Sequence, residues 1–411
     1  MNVVIGAGIT GLSAAQALRG EFVVLERQAR AGGLAGQYRA GGFAFDHGGH
    51  YFHFQGKPEV RSHVEGFLPF REYRRDSRVL LGGRFIPYSL QYHLAGLPAR
   101  QRRRILGEML AAPGAAEAAA SLEEHLLAHF GPTLFRLFFS PYLGKFYGLS
   151  LADLIPGMDK GSIPVPNRAQ VLAGARRRQR SAEGYNPVFF YPRGGLQRFI
   201  DAYGAPLANR VRLGEEVVAV EAGKRRVITS AGSYRYESLV STVPLNELLA
   251  LLRPALPFPR QELRHLSTLV ANAVLARRRR RWNWAYLPER RFPFYRAGYY
   301  PAADAVTAYL ERTIDARGPL DERAARREAL ATLRGAGMIA AAGELLFLDL
   351  KTIPVSYVVF DRQWPRLVPA IREHLLRLGI HSIGRYGSWD YTSMADDIRQ
   401  ARETARRINR P

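Results

Sequence analysis

The chain has 411 residues and no cysteine, which excludes disulfides, thiolate nucleophiles and cysteine-based metal sites. Length and a 47% hydrophobic content allow more than one sizeable core, so two or three structural units are expected. The formal charge of +23 comes from 54 arginines and only five lysines, and the runs at 102–104, 176–178 and 278–281 lie far apart, which reads as solvated faces rather than a nucleic-acid footprint.

No apolar run approaches the ~20 residues of a membrane-spanning helix, and no leader pattern precedes the first strand, so a soluble, cytoplasmic protein with at most peripheral membrane contact is expected. Nothing in the sequence bears on oligomeric state.

In chain order, residues 2–5 form an apolar run, GAGITG follows, 12–18 carries small and apolar residues at helical spacing, and a second apolar run ends on Glu26. This is a strand, a tight turn, a helix and a strand. Gly6 makes the turn, Gly8 lets a diphosphate approach the backbone, and Gly11 permits close helix packing. The helix N-terminus then faces the diphosphate, and Glu26, about twenty residues beyond the first glycine, can accept hydrogen bonds from a ribose. The unit predicts dinucleotide binding.

Residues 31–49 are glycine-rich around a short strand at 43–45. From 58 to 183 the pattern turns mainly helical, with segments at 100–112, 115–129 and 133–139. Alternating stretches at 211–220, 226–230 and 233–242 predict a hairpin-containing sheet, strands dominate from 244 to 368, and a strand, a loop and a terminal helix close the chain. The expected class is α/β: a discontinuous Rossmann-like cofactor domain (1–60, 184–245 and 376–411), an inserted helical cap (61–183), and a substrate domain with a mixed or antiparallel sheet (246–375). There is no internal repeat of solenoid or propeller period.

The segment 30–46, RAGGLAGQYRAGGFAFD, followed by the triplet Gly48, Gly49 and His50, resembles the second flavin fingerprint of the superfamily of amine oxidases, protoporphyrinogen oxidases and UDP-galactopyranose mutases. The resemblance implies FAD, with Gly32 and Gly33 beside the ribityl diphosphate and His50 against the reactive edge of the isoalloxazine. It also places Leu34, Gly49, Val218, Arg385, Met394 and Ala395 on the cofactor, the last two at a helix start whose amides could face the pyrimidine end of the ring.

Further segments resemble the eukaryotic-type UDP-galactopyranose mutases. RFIPYSLQYHLAGLP looks like the uridine-side segment and sets Tyr88 and Gln91 at its tyrosine and glutamine, while Leu90 replaces an aromatic residue. FGPTLFRLFFSPYLGKFYGLSLADL resembles the helix with the pair Pro141 and Tyr142 and with Lys145. GYNPVFFYPRGGL places Asn186 at a loop asparagine. Tyr286, Arg296, Tyr357 and Tyr391 match residues that hold a substrate diphosphate, and Lys160 is the cation nearest to where the family carries a second arginine. A guanidinium offers phosphate a planar pair of donors, and phenols donate without adding charge.

The resemblance therefore implies a nucleotide-sugar mutase that interconverts pyranose and furanose forms on reduced FAD, with NAD(P)H as the candidate reductant and no nucleic-acid partner. His50, Asn186, Arg296, Tyr286, Tyr357 and Tyr391 would carry that reaction. The alternative is an FAD-dependent oxidase or desaturase of the amine oxidase or protoporphyrinogen oxidase type. The two are separated by the pocket, which is polar and anion-binding in the first and an apolar tunnel or aromatic cage in the second.

Overall fold

The computed structural model describes residues 1–111, 119–157, 163–176, 186–301, 305–315 and 318–410. The first unit is β1 (Asn2–Ile5), α1 (Ile9–Ala17) and β2 (Phe22–Glu26). Every residue of β1 and β2 is buried, as expected of parallel strands covered on both faces. They form the middle of a five-stranded parallel sheet whose order is Ile380–Ser382, Leu239–Ser241, β1, β2, Val211–Leu213. Segments distant in sequence thus complete the sheet begun by the first 26 residues.

The terminal helix Met394–Ile408 lies on α1, and Asn409 closes the junction. Its amide donates to the Ala17 carbonyl and its Oδ1 accepts from the Arg19 amide, satisfying groups that the end of α1 leaves free.

A seven-stranded sheet carries the second half of the site. Its order is Leu345–Val358, His265–Leu275, Val306–Ile314, Arg296–Tyr299, Trp284–Tyr286, Ser77–Leu81, Arg84–Pro87. All pairs are antiparallel except Trp284–Tyr286 against Ser77–Leu81. The last two strands lie within 61–183, the stretch expected to be mainly helical. Gly82 and Gly83, with φ of 54° and 73°, make a two-residue hairpin turn between them. That pair between two apolar runs is a hairpin signal the helical reading passed over. Phe70–Arg74 is a further strand of this stretch and pairs with Val188–Pro192.

The helices of the same stretch include Ala99–Ala111, Leu122–Leu134 and Ser140–Tyr147. Pro132 after Gly131 (φ 74°) kinks the second, and a π-helical turn at Phe135–Phe139 joins it to the third. Phe138 and Phe139 from this turn reach the cavity described below.

Much of one basic run is spent on contacts within the chain at the surface. Arg277 and Arg279 both pair with Glu344, Arg278 covers the Tyr299 ring and donates to the Trp282 carbonyl, and Arg280 covers Phe85 and donates to the Gly337 carbonyl. Among the described residues, no helix is long and apolar enough to cross a membrane.

Candidate active site

One cavity of about 1870 Å³ runs from the end of β2, past the glycine loop and α1, to the face of the seven-stranded sheet. At its first end Gly6 turns at φ 96°, and α1 begins after Gly8, which supplies no side-chain cap. Its first-turn amides therefore lack a protein acceptor and face the cavity beside Gly8, Ile9 and Thr10.

A Cβ built on Gly8 would meet nothing nearer than the Gly32 carbonyl at 3.9 Å, so the space before it belongs to the cavity. A Cβ on Gly11 would lie 1.9 Å from the Gly6 carbonyl oxygen. Gly11 is thus a packing residue and does not line the cavity. Glu26, 8% exposed, accepts from the amides of Ala7 (2.8 Å) and Gln28 (2.9 Å), one on each oxygen. Each oxygen keeps a lone pair for a hydroxyl. An uncapped helix end, an open glycine and a buried carboxylate in this order fit the diphosphate and ribose of a dinucleotide.

The other end is built around His50. The chain folds tightly there, with the His50 amide on the Gly48 carbonyl, and the Gly49 amide reaches Glu311 at 3.2 Å. Glu311 and Arg296 are direct cross-strand partners. Arg296 gives its Nε to Oε2 (2.7 Å) and its Nη2 to Oε1 (2.6 Å), and both residues line the cavity.

Burial, helped by the charges of His47, Arg385 and Arg296, lowers the His50 imidazole to about 3, so the ring is neutral. Its Nδ1 is buried without a protein partner, a polar atom available to a bound group.

Beyond His50, Arg385 donates to the Thr392 carbonyl (2.8 Å) and lies over the rings of Tyr391 (4.5 Å) and Tyr357 (5.0 Å). Tyr286 accepts from Arg75 (3.2 Å) and packs against Tyr88, with ring centroids 4.5 Å apart. Burial holds the Tyr357 phenol well above its ordinary range, which keeps it a hydrogen-bond donor.

The cavity brings together Gly6, Gly8, Glu26, Gly32, Gly33, Leu34, Gly49 and His50 on the loop side. Tyr88, Asn186 (φ 43°), Tyr286, Arg296, Tyr357, Arg385, Tyr391 and Met394 line the same cavity. Other expected residues fall elsewhere. Val218 is 47% exposed, because strand alternation turns Val217 inward to the cavity and Val218 out. Gln91 is fully buried off the cavity, its amide donating to the Pro164 carbonyl at 2.7 Å. The Ala395 side chain is buried against the α1 cluster, although its amide, at the second position of the terminal helix, has no intrahelical acceptor. Lys160 lies outside the described residues.

Sequence reasoning missed Glu311, Arg75 and Asp397. Glu311 and Asp397 left a partial signal, a carboxylate in an otherwise buried strand or in the first turn of the last helix, but their partners depend on register and packing.

Residues 9–339 match the family model for flavin-containing amine oxidoreductases. The chain belongs to that family. Its fold is shared with a reduced UDP-galactopyranose mutase at 23% identity and a TM-score of 0.89, over 99% of this chain and 93% of that one. It is also shared with cyclohexylamine oxidase from Brevibacterium oxydans (17% identity, TM-score 0.70, 99% and 98% covered). A fatty acid isomerase from P. acnes matches at 13% identity and a TM-score of 0.69, over 100% and 98%. These likenesses show the fold, which in the family holds a flavin. The cradle at α1 and Glu26 fits the diphosphate and ribose of FAD.

Proposed function

We propose that this family member is an FAD-dependent nucleotide-sugar mutase of the UDP-galactopyranose mutase kind, working on reduced flavin. The carrying observation is the polarity of the His50 end, where Arg75, Arg296 and Arg385 line the cavity with the phenols of Tyr88, Tyr142, Tyr286, Tyr357 and Tyr391. Such a lining suits a diphosphate and repels a protonated amine. Tyr357 and Tyr391 do form an aromatic pair, but the guanidinium of Arg385 already lies over both rings, so the cage an amine would need is filled by the protein's own cation.

FAD would be held by the amides at the start of α1, by Gly32 and Gly33, and by Glu26. In its reduced form it would supply the nucleophilic centre for the anomeric carbon. Arg296 would offer donors to the departing diphosphate, with Glu311 fixing the plane of its fork before substrate arrives. Tyr286, Tyr357 and Tyr391 would donate to the same group without adding charge. The neutral His50 ring, with a free Nδ1, would orient the reacting partners, and Asn186 would set the sugar. The absence of cysteine suits the reducing cytoplasm in which NAD(P)H could maintain the reduced cofactor.

The test is incubation of photoreduced protein with UDP-galactose and other nucleotide sugars, followed by chromatography. A furanose product without oxygen uptake is expected. Stoichiometric hydrogen peroxide with an amine, and no ring-contracted product, would replace the proposal with an oxidase.

A further inference from the structure

We propose that Asp397 is the group through which reduction of the bound flavin is coupled to uptake of a proton. The inference rests on the family's cofactor and not on the nucleotide-sugar reading.

Asp397 stands in the first turn of the terminal helix, is 6% exposed, and lines the cofactor cavity. It belongs to the His50 end: Arg385, which helps keep the His50 imidazole uncharged, is joined to Asp397 by a single residue. Thr392 accepts from Arg385 Nη1 at its carbonyl (2.8 Å) and donates from its hydroxyl to Asp397 Oδ1 (2.6 Å).

Two other carboxylates that line the cavity here are committed to cations, and Asp46, which does not line it, accepts from Tyr191 and Gln37. Glu311 is paired with Arg296 and Asp396 with Lys57 at 2.8 Å. Asp397 has no cation within 4.0 Å among the described residues, so it is a buried carboxyl free to exist in either protonation state. Burial lifts it to about 7, opposed by the Thr392 hydroxyl, the Arg385 charge and the Arg385 amide, while the neighbouring Asp396 charge lifts it further. Tyr386 stays a neutral phenol beside it, and Lys57 and His53 face Asp396 rather than Asp397.

The coupling follows from charge. Two electrons entering the cofactor from an external reductant such as dithionite make the cavity more negative, and an ionised Asp397 opposes them. A solvent proton that forms an O–H bond on the carboxyl removes the opposition, and nothing at Asp397 itself is oxidised or reduced. A charged group close to the ring is one of the means by which a protein sets flavin electronics.

The experiment is spectrophotometric measurement of the flavin midpoint potential in the FAD-loaded protein against a reference dye, from pH 5.5 to 8.5, for wild type and Asp397→Asn. The wild-type potential is expected to fall more steeply with pH through neutrality. At pH 8 the variant should be the easier to reduce, by about tenfold in the two-electron equilibrium, or about 30 mV. The two should converge near pH 5.5. Parallel pH dependences, or a constant offset, would overturn the proposal. If Asp397→Asn does not retain flavin, Thr392→Val keeps the carboxyl and removes its donor, so the steep region should move to higher pH. An unmoved curve there would also overturn it. Because the readout is a potential, a failure of mutase turnover would leave this result standing.

Discussion

Arg296 and Glu311 face each other across neighbouring strands as a two-bonded ion pair, and the carboxylate also holds the Gly49 amide beside His50. The arginine assigned to substrate is therefore fixed to the loop assigned to flavin. A cation already paired still has donors left, since Arg296 uses its Nε and Nη2 on Glu311 and a guanidinium carries five N–H groups.

Arg296→Ala should accordingly act twice. It removes charge-assisted bonds to a diphosphate, lowering nucleotide affinity by about tenfold to a few hundredfold. It also strands the buried Glu311 carboxylate, at a cost of about 3–5 kcal/mol in stability. Adding Glu311→Gln should recover much of the stability and none of the affinity. Titration with UDP and urea unfolding of both proteins check this, and unchanged affinity in flavin-replete Arg296→Ala would remove the diphosphate site.

Two glycines of one motif should fail differently. Gly8→Val has room within the protein but fills the space before α1, so a folded protein without flavin is expected. Gly11→Ala meets the Gly6 carbonyl at 1.9 Å and should destabilise the fold itself. Flavin absorbance together with thermal unfolding separates the outcomes, and full flavin occupancy in Gly8→Val would show that the loop does not hold the cofactor.

Lys145 donates to the carbonyls of Leu287, Glu289 (3.0 Å) and Phe292 (2.9 Å), tying a helix to the turn between the strands of Tyr286 and Arg296. Lys145→Met leaves those acceptors without their shared donor and should cost about 3 kcal/mol. Nucleotide binding should weaken along with stability. Urea midpoints and UDP titration provide the measurement, and wild-type values for both would show the turn is held by other contacts.

Acid should destabilise the protein. Burial lowers His47, His53, His63 and His93 to about 4 and His50 to about 3, so between pH 4 and the unfolded value near 6.5 the unfolded chain binds protons the folded one refuses. Their contribution is present above pH 6.5 and lost as pH falls. Asp46 and Asp397, raised to about 7, oppose this in the same window, because the folded state holds their protons. Five histidines against two aspartates leave an uptake of about two to three protons on unfolding near pH 5. The slope of unfolding free energy between pH 4.5 and 6 measures it, and a flat profile would contradict the assignment.

The first 50 residues were legible because each chemical demand there is local: Gly6, Gly8, Gly11 and Glu26 sit at fixed offsets along one strand–helix–strand unit. The hairpin at Gly82 and Gly83 was equally local, but it was hidden in a stretch dominated by Ala- and Leu-rich helices. Glu311 was not legible as a partner of Arg296, since their pairing depends on the register of two strands. Val218 shows the same limit at the scale of one residue: the strand was expected, but its inward face was not, and a shift of one position exchanges cavity for solvent.

The hairpin Ser77–Leu81 and Arg84–Pro87 has a mechanical consequence. Its first strand is hydrogen-bonded in parallel to Trp284–Tyr286, so the root of the helical segment is stitched into the sheet that carries Arg296. A swing of the whole segment about its ends would tear that ladder. A hinge within the helical segment would therefore have to lie beyond Pro87, and it would leave the pairing of Tyr286 with Arg296 intact.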